Sequence, residues 1–115
     1  MDDSDLLALR RQEHERAPFP PHLRGRDVDG QDMVMLDADI AGCVHAFLTG
    51  RFDERHRRVL LRLLPTVERI LPALDDEGDA FRYYDRLREM AVVVLRESDA
   101  RPTSGRRDRR GRRSR

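Results

Sequence analysis

Between Met33 and Leu95, apolar residues recur at steps of three and four in three successive runs, and this spacing restricts the fold more than any other feature of the chain. The first run contains Met33, Leu36, Ile40, Val44 and Phe47. The second contains Leu60, Leu63, Leu64, Val67, Ile70, Leu71 and Leu74, and the third Phe81, Tyr84, Leu87, Ala91, Val94 and Leu95. A helix of about 3.6 residues per turn places each set on one face. Three such faces are stable only when they bury one another, and short connections make consecutive helices antiparallel neighbours. No run of residues shows the alternation of a strand. The expected fold is all-α: an antiparallel three-helix up-down bundle over residues 32–98.

Punctuation between the runs agrees with this. Gly50 stands where a helix stop is needed, and Asp53 is a good N-cap for the second run. Pro65 lacks a donor and crowds the carbonyl of Leu61, which predicts a kink or break there, and Pro72 marks a fraying end. Asp75, Asp76 and Glu77 suit the start of the third helix electrostatically. Upstream, residues 1–17 hold a short helix from Ser4, its N-cap, to Glu15. Its few leucines, Leu6, Leu7 and Leu9, predict peripheral packing or fraying. Residues 18–31 form a connector, with Pro18, Pro20, Pro21, Gly25 and Gly30 preventing a helix and Phe19 and Leu23 available as anchors. Residues 99–115 read as a disordered Arg-rich tail.

Charge is distributed unevenly. The chain has a net charge of +1, yet residues 101–115 carry eight arginines against Asp108, and that excess of seven leaves −6 for residues 1–100. The chain contains no Lys, Asn or Trp, a bias of the kind a GC-rich genome produces, so arginine content alone says little about binding. A single cysteine, Cys43, forms no internal disulfide and supports no multi-cysteine zinc site. No apolar run is long enough to span a membrane, and the acidic start lacks the features of a secretory leader. A cytoplasmic location is expected.

The stretch "MVMLDADIAGCVHAFL", residues 33–48, holds most of the candidate chemistry. Asp37 and Asp39 point well apart on a helix and do not form a carboxylate pair. A calcium loop beginning at Asp37 puts Ala41 and Leu48 where oxygen ligands are required. Cys43 and His45 are too close in sequence for usual zinc spacing, and His14, His22 and His56 are scattered. Cys43 beside the apolar face reads as an inert buried thiol. No phosphate-cradling glycine loop or serine elbow is present. Neither catalysis nor a metal or other cofactor is therefore expected.

Three binding features remain. Ala38, Gly42 and His45 share a helix face, the first two forming a shallow groove for another helix. Arg55, Arg58, Arg62 and Arg69 form a ridge opposite the leucines, suited to phosphates or an acidic partner, or balanced by the protein's own acids such as Asp37, Asp39 or Asp85. In the tail, Arg106, Arg107, Arg109, Arg110, Arg112, Arg113 and Arg115 can hold anions, nucleic acid among them, without sequence selectivity.

The run "DVDGQDMVMLDADIAGCV" resembles a segment of small, uncharacterised helical proteins of high-GC bacteria, a resemblance covering about Phe19 to Leu95. It implies that the first core helix is the signature element and directs attention to Asp27, Asp29, Asp37, Asp39 and Cys43. It implies no activity or ligand. The expectation from the residues is a non-enzymatic helical interaction module that binds another protein or a second copy of itself. The alternative is an auxiliary nucleic-acid-associated protein acting through the ridge and tail.

Overall fold

Helix α2, Met33–Leu48, sits against α3, Glu54–Ile70, and α4, Asp79–Ala100, and its inner face supplies Met33, Leu36, Ile40, Val44 and Phe47 to the core. The computed structural model describes residues 2–74 and 78–100. Each start and stop in this region has a local cause. The Asp32 carboxylate accepts from the Met35 amide at 2.9 Å, capping α2. After Leu48 the Thr49 amide and hydroxyl both donate to the His45 carbonyl, and Gly50, at φ +76°, turns the chain into the left-handed region. Asp53 and His56 then form a reciprocal capping box for α3, each side chain accepting the other's amide at 3.1 Å.

Helix α3 runs through Pro65 without a break. The carbonyl of Leu61, deprived of its usual donor, belongs to a residue that is 47% exposed, on the solvent side of the helix. The inner face keeps Leu60, Leu63, Val67 and Ile70 buried, and a 3-10 turn, Leu71–Leu74, adds Leu71 and Leu74. From α4 the core receives Tyr84, Leu87, Met90, Ala91 and Val94, and the Tyr84 hydroxyl donates to the Met33 carbonyl at 2.7 Å. Truncating a fully buried member such as Leu36 to Ala removes about 2–5 kcal/mol of stability.

Helix α1, Asp3–Arg16, is longer and better packed than its leucine content predicts. Its N-cap is Asp2, which accepts from the Asp5 amide at 2.9 Å, not Ser4. Leu7 and His14, seven positions apart and so on one face, are both buried. Contacts with α4 run in opposite chain order: Asp3 with Arg96 at 3.0 Å, Arg10 with Glu89 at 3.1 Å, and His14 with Arg86 at 3.3 Å. That register is antiparallel, and it makes α1 a fourth packed helix where a peripheral or frayed one was expected.

The connector holds one feature absent from an all-α expectation. Strands β1, Asp27–Val28, and β2, Gln31–Asp32, pair antiparallel across Asp29 and Gly30, whose φ angles of 55° and 80° are those of a tight mirror-image hairpin turn. Two-residue strands are too short to show alternation, so the Asp-Gly pair is their sole sequence signal. Buried Leu23 and the half-buried Phe19 pin this connector to the core, as their apolar character predicts, and buried Val28 adds a third anchor.

Candidate functional site

Helix α2 is apolar on both sides, and only one side is used by the core. Its inner face is fully covered, whereas Val34, Met35, Ala38, Gly42, His45 and Leu48 are exposed, Met35 reaching 51%. On a helical projection these residues occupy one continuous arc, with Asp37 at one edge and Asp39 at the other. A methyl group built on Gly42 meets nothing within 4 Å. The structure thus brings the Ala38, Gly42 and His45 set together on an open surface and adds three larger apolar residues to it.

One edge of the arc is fixed by a polar network. His14 Nδ1 accepts from Arg86 Nε at 3.3 Å, so Nε2 carries the ring proton and donates it to Asp37 Oδ1 at 2.9 Å. The Tyr83 hydroxyl donates to Asp37 Oδ2 at 2.8 Å. The His14 and Tyr83 rings lie 4.3 Å apart, and the Arg86 guanidinium stands 5.7 Å from the Tyr83 ring centre. Burial and the Asp37 carboxylate push the Tyr83 hydroxyl well above the usual phenol range, so it stays a donor. Both carboxylate oxygens of Asp37 and both ring nitrogens of His14 are thereby engaged. The network ties α1 to α2 and α4.

His14, Tyr83 and Arg86 are not among the candidates found in the sequence. The spacing of His14 from Leu7 is the one signal that places it inward. On the same side, Arg11 donates from its guanidinium to His45 Nδ1 at 3.3 Å while pairing with Glu15 at 3.0 Å. His45 is therefore held by a cation on α1 while its ring stays exposed.

Cys43 is buried, and its thiol donates to the His56 carbonyl at 3.7 Å. Burial, reinforced by the negative charges of Asp39 and Asp53, pushes the thiol up to about 11. The thiolate needed for nucleophilic or redox chemistry is scarce at neutral pH. Among the described residues no three His, Cys, Asp or Glu side chains converge as a metal site would require, and no helix is long and apolar enough to cross a membrane.

Arg55, Arg58, Arg62 and Arg69 are all exposed on α3, with Leu61 between them. Their acidic neighbours are not the ones the sequence suggested. Arg69 donates to Asp29 of the hairpin at 2.8 Å, Arg58 lies 3.9 Å from Glu54, and the capping Asp53, whose carboxyl the His56 amide holds low, has a smaller contribution from Arg55. Asp37 is instead bound by His14 and Tyr83, and Asp85 by Arg88 at 2.9 Å. Arg62 has no ion-pair partner among the described residues. The tail arginines, Arg106 through Arg113, lie outside the described residues.

A shallow groove of about 200 Å³ between α1 and α4 is floored by Leu7, Met90 and Val93 and rimmed by Arg10, Arg88 and Arg96. Each rim cation is neutralised by a carboxylate, Glu89, Asp85 and Asp3 respectively, so the groove offers no free charge to a ligand. No family model, curated protein or solved structure matches the chain.

Proposed function

We propose that this chain is a non-enzymatic protein-interaction module that engages its partner through the outer face of α2. The observation that carries this reading is the arc from Val34 to Leu48. Apolar residues of a helix usually gather on its buried face, yet here Val34, Met35, Ala38 and Leu48 face water together with Gly42 and His45. Contiguous exposed apolar surface of this kind, rimmed by Asp37, Asp39 and Arg11, is characteristic of a protein–protein contact. Gly42 and Ala38 allow a partner backbone to approach closely, and the stiff, doubly anchored helix presents the surface without an ordering cost. The helices serve as an up-and-down scaffold in which the acids and thiol of α2 have positional roles.

The test is affinity capture by the full chain from the cells that produce it, comparing wild type with Gly42→Leu and a ridge variant, Arg62→Glu. Partner recovery is expected to be lost in Gly42→Leu and retained in Arg62→Glu, with both variants as thermally stable as wild type. Recovery undiminished by Gly42→Leu contradicts the reading.

The exposure of Arg55 and Arg62, with no carboxylate within ion-pair distance of Arg62 among the described residues, favours a second reading, a nucleic-acid auxiliary that binds phosphates through this ridge and the tail. Salt-dependent binding to random duplex by the full chain, lost in a chain ending at Ala100, is its signature.

A further inference from the structure

We infer that the occupant of the outer face of α2 is a second copy of this chain, laid antiparallel across a two-fold axis between Ala41 and Gly42. The inference rests on the reading of this face as an association surface and adds the identity and direction of the partner.

Three features of the face point to self-pairing in that direction. Val34, Ala38, Ala41, His45 and Leu48 follow one another at alternating steps of four and three, the seam of two helices packed side by side. Reversing the helix about the Ala41–Gly42 midpoint brings Ala38 against His45, places Val34 near Leu48, and sets Ala41 beside the axis. The bulky ring thus meets a methyl group, two apolar side chains meet near each end of the contact, and a small residue sits at the axis, where two backbones come closest. An isologous contact requires such self-complementarity, because each residue must suit both its place and its mirror place.

Charge follows the same reversal. The N-terminal half of the face is edged by Asp32, Asp37 and Asp39, and the C-terminal half by His45, the Arg11 that binds it, and the exposed Arg51 just beyond the helix. Arg51 has no ion-pair partner among the described residues. In the antiparallel pair the exposed Asp32 of one copy lies opposite the exposed Arg51 of the other, twice over by symmetry. A parallel pair instead stacks acid on acid and base on base, which opposes association.

The test is disulfide trapping in the full chain carrying Cys43→Ala. One population carries Ala38→Cys, a second His45→Cys, and cross-linked product is measured on non-reducing gels after mild oxidation. The mixture is expected to cross-link at least about tenfold more than either population alone, and Gly42→Leu is expected to weaken the dimer by a similar factor in sedimentation. Within the antiparallel pair, position 38 of one copy is displaced from position 38 of the other by about 10 Å along the axis, too far for a disulfide. Ala38→Cys chains linking to one another, or a monomer persisting at a concentration on the order of 0.1 mM, overturn the inference. If the chain is monomeric while capture from cells still depends on Gly42, self-pairing fails and the α2 reading survives. If both dependences are absent, the two fail together.

Discussion

Asp37 of α2 holds His14 of α1 through a 2.9 Å hydrogen bond, across 23 positions of chain, in a setting where the His14 side chain is 7% and the Asp37 side chain 20% exposed. This contact converts a helix with few leucines into a fixed member of the core. It also supports the edge of the face that α2 presents to solvent.

Replacing His14 with Ala removes the donor to Asp37 and the acceptor for Arg86 at once. A loss of about 2–3 kcal/mol is expected, since hydrogen bonds to charged groups in partly buried sites are worth more than neutral ones and the surviving partners are left half-satisfied. Urea denaturation reads the loss, and amide exchange should show α1 opening before α3. A midpoint equal to that of wild type would show that the network is ornamental.

Gly42 occupies mid-helix with open space where a side chain would go, so in the isolated chain its conformational freedom is a cost without a packing benefit. Gly42→Ala is expected to stabilise the monomer by about 0.5–1 kcal/mol in thermal or chemical unfolding. A variant destabilised at a concentration where the chain is monomeric would mean that the position is packed against something within the chain.

The Cys43 thiol, raised to about 11 by burial, should react with a maleimide at pH 7 far more slowly in the folded chain than in urea. The rate in the folded protein should keep rising towards pH 11. A rate that levels off near pH 8–9, the range of a free thiol, would contradict the buried placement.

Acid should loosen the helix starts. The His56 amide holds the Asp53 carboxyl below its ordinary value, and Arg96 does the same for Asp3. Groups with a depressed folded pKa contribute stability above their unfolded value near 3.8 that is lost as pH falls through the folded one. Both sites are exposed, so the effect is small and weakened by salt. Thermal melting is expected to fall below about pH 4, and less steeply for Asp53→Asn, an amide that still caps. Identical acid profiles for that variant and wild type would remove Asp53 from the explanation.

Periodicity made the inner faces of α2, α3 and α4 readable, because a buried stripe must repeat every turn and Met33, Leu36, Ile40 and Val44 do. The Ala38, Gly42 and His45 set and the arginine ridge were readable for the same reason. Long-range polar contacts were not. Nothing in the spacing of His14, Asp37, Tyr83 and Arg86 announces that four residues spread over 72 positions of chain meet. The same holds for Arg69 and Asp29, joined only once the hairpin folds back. Two-residue strands carry no period, and α3 continues through Pro65, with the orphaned carbonyl belonging to the exposed Leu61. Whether the outer face of α2 was covered was equally beyond the sequence: Val34, Met35 and Leu48 are as apolar as the residues that are buried.

The most direct measurement is the labelling rate of a cysteine at position 42, in the full chain carrying Cys43→Ala and Gly42→Cys, compared between dilute purified protein and intact producing cells. An Arg62→Cys chain serves as reference for an exposed site away from the face. Rapid labelling in dilute solution and at least about tenfold protection in cells at position 42, with position 62 labelled equally in both, is the expected result. Equal labelling of position 42 in both settings, or protection confined to position 62, would contradict a role for this face in association.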